Sequence, residues 1–292
     1  MPGLRRRSAR GAPIGPIAIL GSGGQLGTAF ARLLGEDAIG LSRADLDLAR
    51  TGDIGSTLDA LDPAIVINCA AYTAVDRAEE EENLATEINT VAVGVLAEWA
   101  SLRSRPLLTF STDYVFNGAA DWPYVESSST NPINAYGRSK LLGESLAAGH
   151  GALVVRTSWV ISGSHPNFVA TILRKVKEQE LRVVDDQRGN PTVAADLARA
   201  SYDALQSGAS GLLHLTNQGE TTWYELARTS VGLADLDPSR ISPCETRDYP
   251  TPARRPTYSV LASERLDELG LDPLPHWRES IGELVVELKT WV

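Results

Sequence analysis

A tyrosine and a lysine four residues apart are the side chains of this sequence best placed to do chemistry. Tyr136 and Lys140 lie in the segment Asn134-Ala-Tyr-Gly-Arg-Ser-Lys140. Residues at positions i and i+4 share one face of a helix, so the ammonium group of Lys140 can approach the phenol of Tyr136. A nearby cation favours the phenolate and lowers the pKa of a tyrosine. The pair therefore predicts a tyrosine that handles a proton, although both side chains could instead lie on an exposed helix surface.

A glycine-rich loop near the N-terminus predicts a site for a dinucleotide. The segment Gly21-Ser-Gly-Gly-Gln-Leu-Gly27 follows an apolar run at residues 16–20, which is typical of a buried strand, and leads into a predicted helix, Gln25–Leu34. In such a loop the first glycine permits a tight turn, the next lets the backbone approach phosphate, and the last lets the helix pack closely. The helix N-terminus then faces the pyrophosphate. Together with the tyrosine and the lysine, the loop indicates hydride transfer.

The residues after the second predicted strand, Ala38–Leu41, favour NADPH as the cofactor. In dinucleotide folds an acidic residue about 20 positions beyond the loop binds the ribose hydroxyls, whereas an arginine there suits a 2′-phosphate. Ser42 and Arg43 occupy that position here. NADH stays possible, because Arg43 could also be a solvated loop residue.

Predicted strands and helices alternate through the first half of the chain, which indicates an α/β fold with a Rossmann-type, doubly wound parallel sheet. Further strands are predicted at residues 63–71, 107–110 and 153–156, with helices at 54–61, from 89 to about 101, and from 136 onward. Residues 13–158 are thus predicted to form a dinucleotide-binding domain.

From residue 159 onward, prolines and polar turns become frequent. Helices are predicted at residues 167–180, 194–206, 222–231, 263–269 and 277–289, and strands at 181–184 and 212–214. We expect residues 159–292 to form mostly a smaller, interleaved substrate-binding region, with some segments returning to the Rossmann domain. Residues 1–12 are predicted to be a disordered basic leader or a mis-assigned start.

Composition excludes several classes of protein. The 292 residues carry a formal net charge of −10, which argues against nucleic-acid binding. No run approaches 18 apolar residues, so no membrane span is predicted. Cys69 and Cys244 are too few for a disulfide framework, and the four histidines lack the close spacing of a metal site. We expect a cytoplasmic protein that needs no metal.

With these residues in view, the chain resembles the extended short-chain dehydrogenase/reductases, and within them the reductases of dTDP-linked sugars. The resemblance runs from Ile14 to the C-terminus. The matching segments are 21–27, 68–76, 111–116, 124–126, 131–140, 156–160, 185–192 and 249–256. It implies reduction of the 4-keto group of a dTDP-linked 6-deoxyhexose by a nicotinamide cofactor, the last step toward dTDP-L-rhamnose.

The resemblance also implies roles for individual residues. Tyr136 donates a proton to the developing sugar alkoxide, and Lys140 lowers the Tyr136 pKa and binds the nicotinamide ribose. Thr112 hydrogen-bonds the keto oxygen or tunes Tyr136, and Asp113 holds a sugar hydroxyl. The implied cofactor-binding residues are Gly21, Gly24, Gln25, Leu26, Gly27, Ser42, Arg43, Asp47, Leu48, Ala71, Tyr72 and Thr73, together with Tyr136 and Lys140.

Three further positions are implied with less specific roles. Trp159 packs on the sugar nucleotide. Arg255 is a candidate for the diphosphate, although an arginine between prolines could be purely structural. Asn89 matches an asparagine that holds a proton-relay water in related reductases. An equally good interpretation is that its side chain hydrogen-bonds buried backbone groups.

One departure from the family concerns metal and assembly. Some members form dimers through a Mg²⁺ ion held by glutamates at positions that correspond here to Ala29 and Ala195. An alanine side chain offers no oxygen ligand to a hard cation. We therefore expect no magnesium and a monomer.

Two alternatives to this function stay open. The chain could be a 4-ketoreductase or epimerase for another nucleotide-deoxysugar, because pocket shape sets the orientation of one hydroxyl. It could also be a non-catalytic cofactor-binding partner, since the same fold serves as the regulatory subunit of methionine adenosyltransferase. The presence of Tyr136, Lys140 and Thr112 favours an enzyme.

Overall fold

A six-stranded parallel sheet forms the centre of the molecule. The computed structural model describes residues 15–290, and the predicted leader at residues 1–12 lies outside them. The described strands are β1 (Ile17–Leu20), β2 (Ala38–Leu41), β3 (Ile65–Asn68), β4 (Leu107–Thr112), β5 (Leu153–Thr157), β6 (Val160–Ile161), β7 (Leu181–Val184), β8 (Arg188–Gly189), β9 (Thr192–Val193), β10 (Gly211–His214), β11 (Thr221–Thr222) and β12 (Ile241–Cys244). The main sheet has the order β10-β5-β4-β3-β1-β2. The predicted doubly wound Rossmann-type fold is confirmed.

Helices cover both faces of this sheet. The described helices are α1 (Gln25–Leu34), α2 (Thr51–Leu61), α3 (Val75–Ala78), α4 (Glu82–Thr86), α5 (Ala92–Leu102), α6 (Ala135–Gly149), α7 (Phe168–Lys175), α8 (Ala194–Gln206), α9 (Trp223–Leu233), α10 (Leu266–Leu269) and α11 (Trp277–Leu288). One core packs α2, α5 and α6 on one face, and another packs α1 and α8 on the opposite face. Strands buried on both faces read as continuous apolar runs, which is why β1, β3 and β5 are visible in the sequence.

A separate hydrophobic core lies in the C-terminal part of the chain. It packs α7, α9 and α11 around the fully buried Trp277 and Ile281. β7 and β12 form a small parallel sheet beside α9. In contrast, β10 pairs with β5, and α8 packs against α1, so these two elements return to the main sheet.

Several predicted elements differ from the observed ones. The helix predicted at 167–180 is confined to α7, and the one predicted at 263–269 to the single turn α10. β12 was not predicted, because Pro243 lies inside it; the proline is tolerated in a strand that has only one partner. The helix predicted from residue 89 begins earlier, at α4, and contains a π-helical turn, Glu87–Val91, before α5.

Within residues 15–290, none of the helices combines the length and apolarity required to cross a lipid bilayer.

Candidate active site

A cavity of about 570 Å³ lies at the carboxyl ends of the central strands, where strand order reverses between β1 and β3. Open α/β sheets bind ligands at such a point. Twelve of the predicted cofactor residues line the cavity: Gly21, Gly24, Gln25, Leu26, Ser42, Arg43, Asp47, Leu48, Ala71, Thr73, Tyr136 and Lys140. The predicted residues Gly27, Tyr72, Thr112, Asp113, Trp159 and Arg255 are not among its lining residues.

The glycine loop is shaped by close backbone contacts. Gly21 has φ +72°, and a Cβ atom there would lie 2.8 Å from the backbone of Ala70. A Cβ on Gly27 would lie 2.2 Å from the Gly21 carbonyl oxygen. Gly24 caps α1 in an extended conformation, without a side chain over the first turn. The N-terminal amides of α1 are therefore left open to a phosphate group.

Residues far along the chain hold this loop. The Gln25 carboxamide oxygen accepts a hydrogen bond from the Ser162 backbone nitrogen (2.9 Å). His165 Nε2 lies 3.1 Å from the Gly23 carbonyl oxygen, which can only accept, so Nε2 donates. These contacts were not predicted, because nothing in the local sequence around Ser162 or His165 points to a partner about 140 positions away.

Tyr136 and Lys140 lie in the first turns of α6. Asn134 caps this helix, because its side-chain oxygen accepts a hydrogen bond from Gly137 N (2.7 Å). Lys140 is buried, and its Nζ donates to the Phe110 carbonyl oxygen at the end of β4 (2.6 Å). The predicted pair therefore sits beside the cavity, with the lysine anchored to the sheet.

The expected lowering of the Tyr136 pKa by Lys140 is wrong for this geometry. Burial raises the pKa of Tyr136 to about 12, and a hydrogen bond with Thr112 offsets this only in part. Burial also lowers the pKa of Lys140 to about 8, because desolvation disfavours the ammonium form. Near neutral pH, Tyr136 is thus a protonated phenol, the form that can donate a proton.

Thr112 and Asp113 lie where β4 ends. The Thr112 hydroxyl donates to Asp113 Oδ1 (3.0 Å) and accepts from Tyr114 N (3.2 Å). Asp113 is only 2% exposed, and its Oδ2 has no hydrogen-bond partner among residues 15–290. Burial raises the pKa of Asp113 to about 7. An unpartnered buried carboxylate oxygen is costly, and a ligand hydroxyl would relieve it.

Two further buried hydroxyls at this edge lack partners. Ser111 Oγ and Thr157 Oγ1 make no hydrogen bond within the described residues, and both residues line the cavity. They lie at the ends of β4 and β5, where the parallel register pairs Thr112 with Thr157. A polar ligand in the cavity would satisfy them. Ser111 belongs to the hydroxyl-bearing end of a predicted strand, whereas Thr157 was not predicted as a site residue, because its position beside Thr112 follows only from the pairing of β4 and β5.

The predicted 2′-phosphate residues lie at the rim of the cavity. Arg43 is exposed, and its Nε lies 3.3 Å from Asp47 Oδ2. Ser42 donates to Asp45 from both its backbone nitrogen and its hydroxyl. Arg43 is therefore accessible to an anion and only weakly held by its neighbour.

Trp159 lies in a strained and tightly packed conformation. Its φ is +44°, in the left-handed region that bulky residues rarely adopt. Its ring stacks on Trp223, with 3.6 Å between ring centroids and 12° between planes. A Cβ on Gly189 would lie 2.7 Å from the Trp159 ring. Only glycine at position 189 leaves the Trp159 ring where it is.

Arg255 is engaged within the protein. Its guanidinium group forms two hydrogen bonds to the carboxylate of Asp76 (3.0 and 2.9 Å) and lies about a fifth exposed. The structure thus places it away from the lining of the nucleotide cavity and beside a compensating charge.

Tyr72 and Asn89 support the wall of the site. The Asn89 side chain accepts from Tyr72 N (2.9 Å) and donates to the Tyr72 carbonyl and to Ser139 Oγ (both 3.0 Å). Asn89 thus hydrogen-bonds backbone groups of Tyr72, which is one of the two interpretations that the sequence allowed. The Tyr72 hydroxyl donates to Glu81 (2.6 Å), away from the cavity.

Ala29 and Ala195 line a second cavity of about 390 Å³, between α1, α8 and α11. Across residues 15–290, no three His, Cys, Asp or Glu side chains are grouped so that they could hold a metal ion.

Comparison with known proteins identifies relatives along nearly the whole chain. The family model described as the RmlD substrate binding domain matches residues 15–290. A dTDP-4-dehydrorhamnose reductase from Burkholderia thailandensis is 40% identical over 294 residues, which cover 93% of this chain and 98% of that protein. A Streptomyces antibioticus protein named as a probable dTDP-4,6-dihydroxy-2-methyloxan-3-one 4-ketoreductase is 42% identical over 273 residues, with 91% and 92% covered.

A solved structure is similar over the same extent. A dTDP-4-dehydrorhamnose reductase from Bacillus anthracis, crystallised in complex with NADP, has a TM-score of 0.89 and 33% identity. The alignment covers 94% of this chain and 99% of that chain.

Proposed function

We propose that this chain is a reductase. The premise is that it belongs to the RmlD substrate binding domain family, whose model matches residues 15–290. The protein is an NADPH-dependent dTDP-4-dehydrorhamnose reductase. It reduces the 4-keto group of dTDP-4-dehydro-L-rhamnose and so yields dTDP-L-rhamnose.

One arrangement carries this proposal. Tyr136, Lys140 and Thr112 meet at the carboxyl edge of the sheet, next to a cavity shaped by glycines. At the same edge, Ser111, Asp113 and Thr157 each have a buried polar atom without a hydrogen-bond partner among the described residues. A dinucleotide fits the glycine cradle, and a polyhydroxylated substrate fits the unpartnered oxygens.

When bound, the cofactor supplies a hydride to the C4 carbon of the sugar. Tyr136, protonated near neutral pH, donates its proton to the C4 oxygen as negative charge develops there. Thr112 either tunes Tyr136, whose raised pKa it partly offsets, or hydrogen-bonds the keto oxygen. Lys140, whose Nζ donates to the Phe110 carbonyl oxygen, would hold the nicotinamide ribose with its remaining N–H donors. Asp113 receives a sugar hydroxyl at its unpartnered oxygen.

The binding residues remain part of the proposal. Arg43 binds the 2′-phosphate of NADPH, since its guanidinium is exposed at the rim of the cavity. Trp159 forms a wall for the sugar nucleotide, and its strained backbone is consistent with a functional position. For Arg255 to bind the diphosphate it would have to share its charge with Asp76.

The wider organisation is also proposed. Residues 13–158 form the dinucleotide-binding domain, and residues from 159 onward form most of the substrate-binding region. β10 and α8 are the segments that return to the main sheet. A monomer without magnesium, acting in the cytoplasm, completes the proposal.

The direct test is to incubate the protein with NADPH and dTDP-4-dehydro-L-rhamnose, follow the loss of NADPH absorbance, and identify the sugar by NMR. Stoichiometric NADPH loss with a product of the L-rhamnose configuration supports the proposal. NADPH loss with the opposite configuration at C4 would indicate a different 4-ketoreductase.

That second candidate has its own support. The relative from Streptomyces antibioticus carries the name of another 4-ketoreductase and is 42% identical to this chain. Because one active site can reduce a ketone from either face, the C4 configuration of the product separates the two candidates.

A further inference from the structure

The side chain of Gln25 is hydrogen-bonded at both ends to a segment from the other half of the chain. Its Nε2 donates to the Val160 carbonyl oxygen (3.2 Å), and its Oε1 accepts from the Ser162 backbone nitrogen (2.9 Å). A backbone carbonyl only accepts and a backbone N–H only donates, so these contacts fix the orientation of the carboxamide. Gln25 begins α1 beside the glycine loop, but both ends of its side chain are engaged with residues 160–162.

Residues 160–167, which we call the strap, form a turn held by their own hydrogen bonds. Asn167 Nδ2 donates to the carbonyl oxygens of Ser162 (2.7 Å) and His165 (2.8 Å), and its Oδ1 caps α7. His165 Nε2 donates to the Gly23 carbonyl oxygen (3.1 Å). The strap is therefore fixed to α7 at one end, and it contacts the glycine loop and the start of α1.

Trp159 directly precedes the strap and has an unfavourable backbone conformation. Its φ is +44°, and a bulky residue keeps such a conformation only where the surrounding structure over-determines it. The Trp159 carbonyl oxygen accepts from Thr192 N (3.1 Å). The next carbonyl along the chain, that of Val160, accepts from Gln25. Gln25 is thus placed to restrain the backbone immediately after Trp159.

We propose that Gln25 is a positioning residue that holds the Trp159 ring in the substrate wall by fixing the strap. The inference rests on the proposed function, in which Trp159 packs against the sugar nucleotide. Gln25 lines the cofactor cavity, so its side chain would ordinarily be assigned to NADPH. Its engagement with the strap assigns it to the substrate side, and its backbone amide at the helix N-terminus stays with the pyrophosphate.

Two variants of Gln25 and one control variant test this assignment. Gln25→Met keeps the length of the side chain and removes both hydrogen bonds to the strap. Gln25→Asn keeps a carboxamide at the start of α1 but is one carbon shorter, so it cannot reach Val160 and Ser162 as Gln25 does. Ser162→Ala is the matched control, because it removes only the bond from Ser162 Oγ to Gln25 Oε1 (3.1 Å) and leaves both backbone contacts in place.

Circular dichroism reports the position of Trp159 in the ligand-free protein. The rings of Trp159 and Trp223 are stacked with 3.6 Å between their centroids, so their electronic transitions couple and give an exciton couplet. Because the chain has six tryptophans, the couplet is identified as the difference between wild type and Trp223→Phe. It should weaken in both Gln25 variants and keep its wild-type intensity in Ser162→Ala. A couplet of wild-type intensity in both Gln25 variants would overturn the proposal.

Calorimetric titration with dTDP and with NADPH separates the substrate side from the cofactor side. Gln25→Met should bind dTDP about tenfold more weakly than wild type, the change expected for two lost hydrogen bonds. Its NADPH affinity should stay near that of wild type, because the glycine loop and the backbone amide are unchanged. Gln25→Asn should follow Gln25→Met, and Ser162→Ala should follow wild type.

The outcomes distinguish this inference from the proposed function. A loss of NADPH affinity as large as the loss of dTDP affinity would show that the Gln25 side chain serves the cofactor, which contradicts the inference. If wild type bound no dTDP, the proposed function would fail. The circular dichroism of the ligand-free variants would still decide whether Gln25 holds Trp159.

Discussion

Replacing Asp113 by asparagine is expected to stabilise the ligand-free protein and to lower the affinity of the protein for the sugar nucleotide. Asp113 is 2% exposed, and its Oδ2 has no hydrogen-bond partner in the part of the chain that the structure describes. Burial raises its pKa from the ordinary 3.8 to about 7. The folded protein therefore binds this proton more tightly than the unfolded chain does.

The sign and size of the effect follow from linkage. A carboxyl whose pKa is raised on folding supports stability below the unfolded pKa, and that support is lost as pH rises through the folded pKa. The displacement of about three pH units corresponds to about 4 kcal/mol. An asparagine amide in the same place would itself be incompletely paired, so we expect a net gain of about 2–3 kcal/mol above pH 7.

The assay is chemical denaturation of wild type and Asp113→Asn at a series of pH values from 4 to 8. The stability difference should be small near pH 4, grow between pH 4 and 7, and level off above pH 7. In the same variant, KM for the sugar nucleotide should rise and the Kd for NADPH should stay unchanged. A stability difference that does not depend on pH would refute this account of Asp113.

The remaining predictions concern cofactor choice, the substrate wall and metal. Arg43→Asp should lower the ratio of kcat/KM with NADPH to kcat/KM with NADH, because the cation that binds the 2′-phosphate is replaced by an acceptor for the ribose hydroxyls. An unchanged ratio would show that Arg43 does not determine cofactor preference. Gly189→Ala should raise the KM for the sugar nucleotide, because the added methyl group displaces the Trp159 ring. An unchanged KM would show that Trp159 does not contribute to substrate binding. EDTA should alter neither activity nor oligomeric state, because Ala29 and Ala195 offer no ligand; activity lost to EDTA and restored by Mg²⁺ would overturn this.

Much of the fold could be read from the sequence, because its strands are buried on both faces. Apolar runs of this kind located β1, β3 and β5, and the helices predicted at residues 25–34 and 194–206 coincide with α1 and α8. The glycine loop was also predictable, since the positive φ of Gly21 and the tight contact at Gly27 depend on residue type at fixed spacing.

What could not be predicted depends on contacts between distant segments. The unpartnered hydroxyl of Thr157 matters only because the sheet register places it beside Thr112. The contact between His165 and Gly23 joins positions 142 apart. The spacing of Tyr136 and Lys140 gave a shared helix face but not the burial of the phenol. That burial raises the pKa of Tyr136, where a lowering was predicted.

The central claim is that Tyr136 donates the proton while the cofactor donates the hydride, and Tyr136→Phe tests it most directly. The ring still packs against Tyr114, and the glycine loop and Lys140 are untouched, so NADPH affinity should change little. General acid catalysis is typically worth about 10²–10⁴-fold, so kcat should fall by that order. Thr112→Val serves as the matched control and should lose less, because it leaves the proton donor in place. Near-normal turnover of Tyr136→Phe, or loss of NADPH binding together with turnover, would contradict the mechanism.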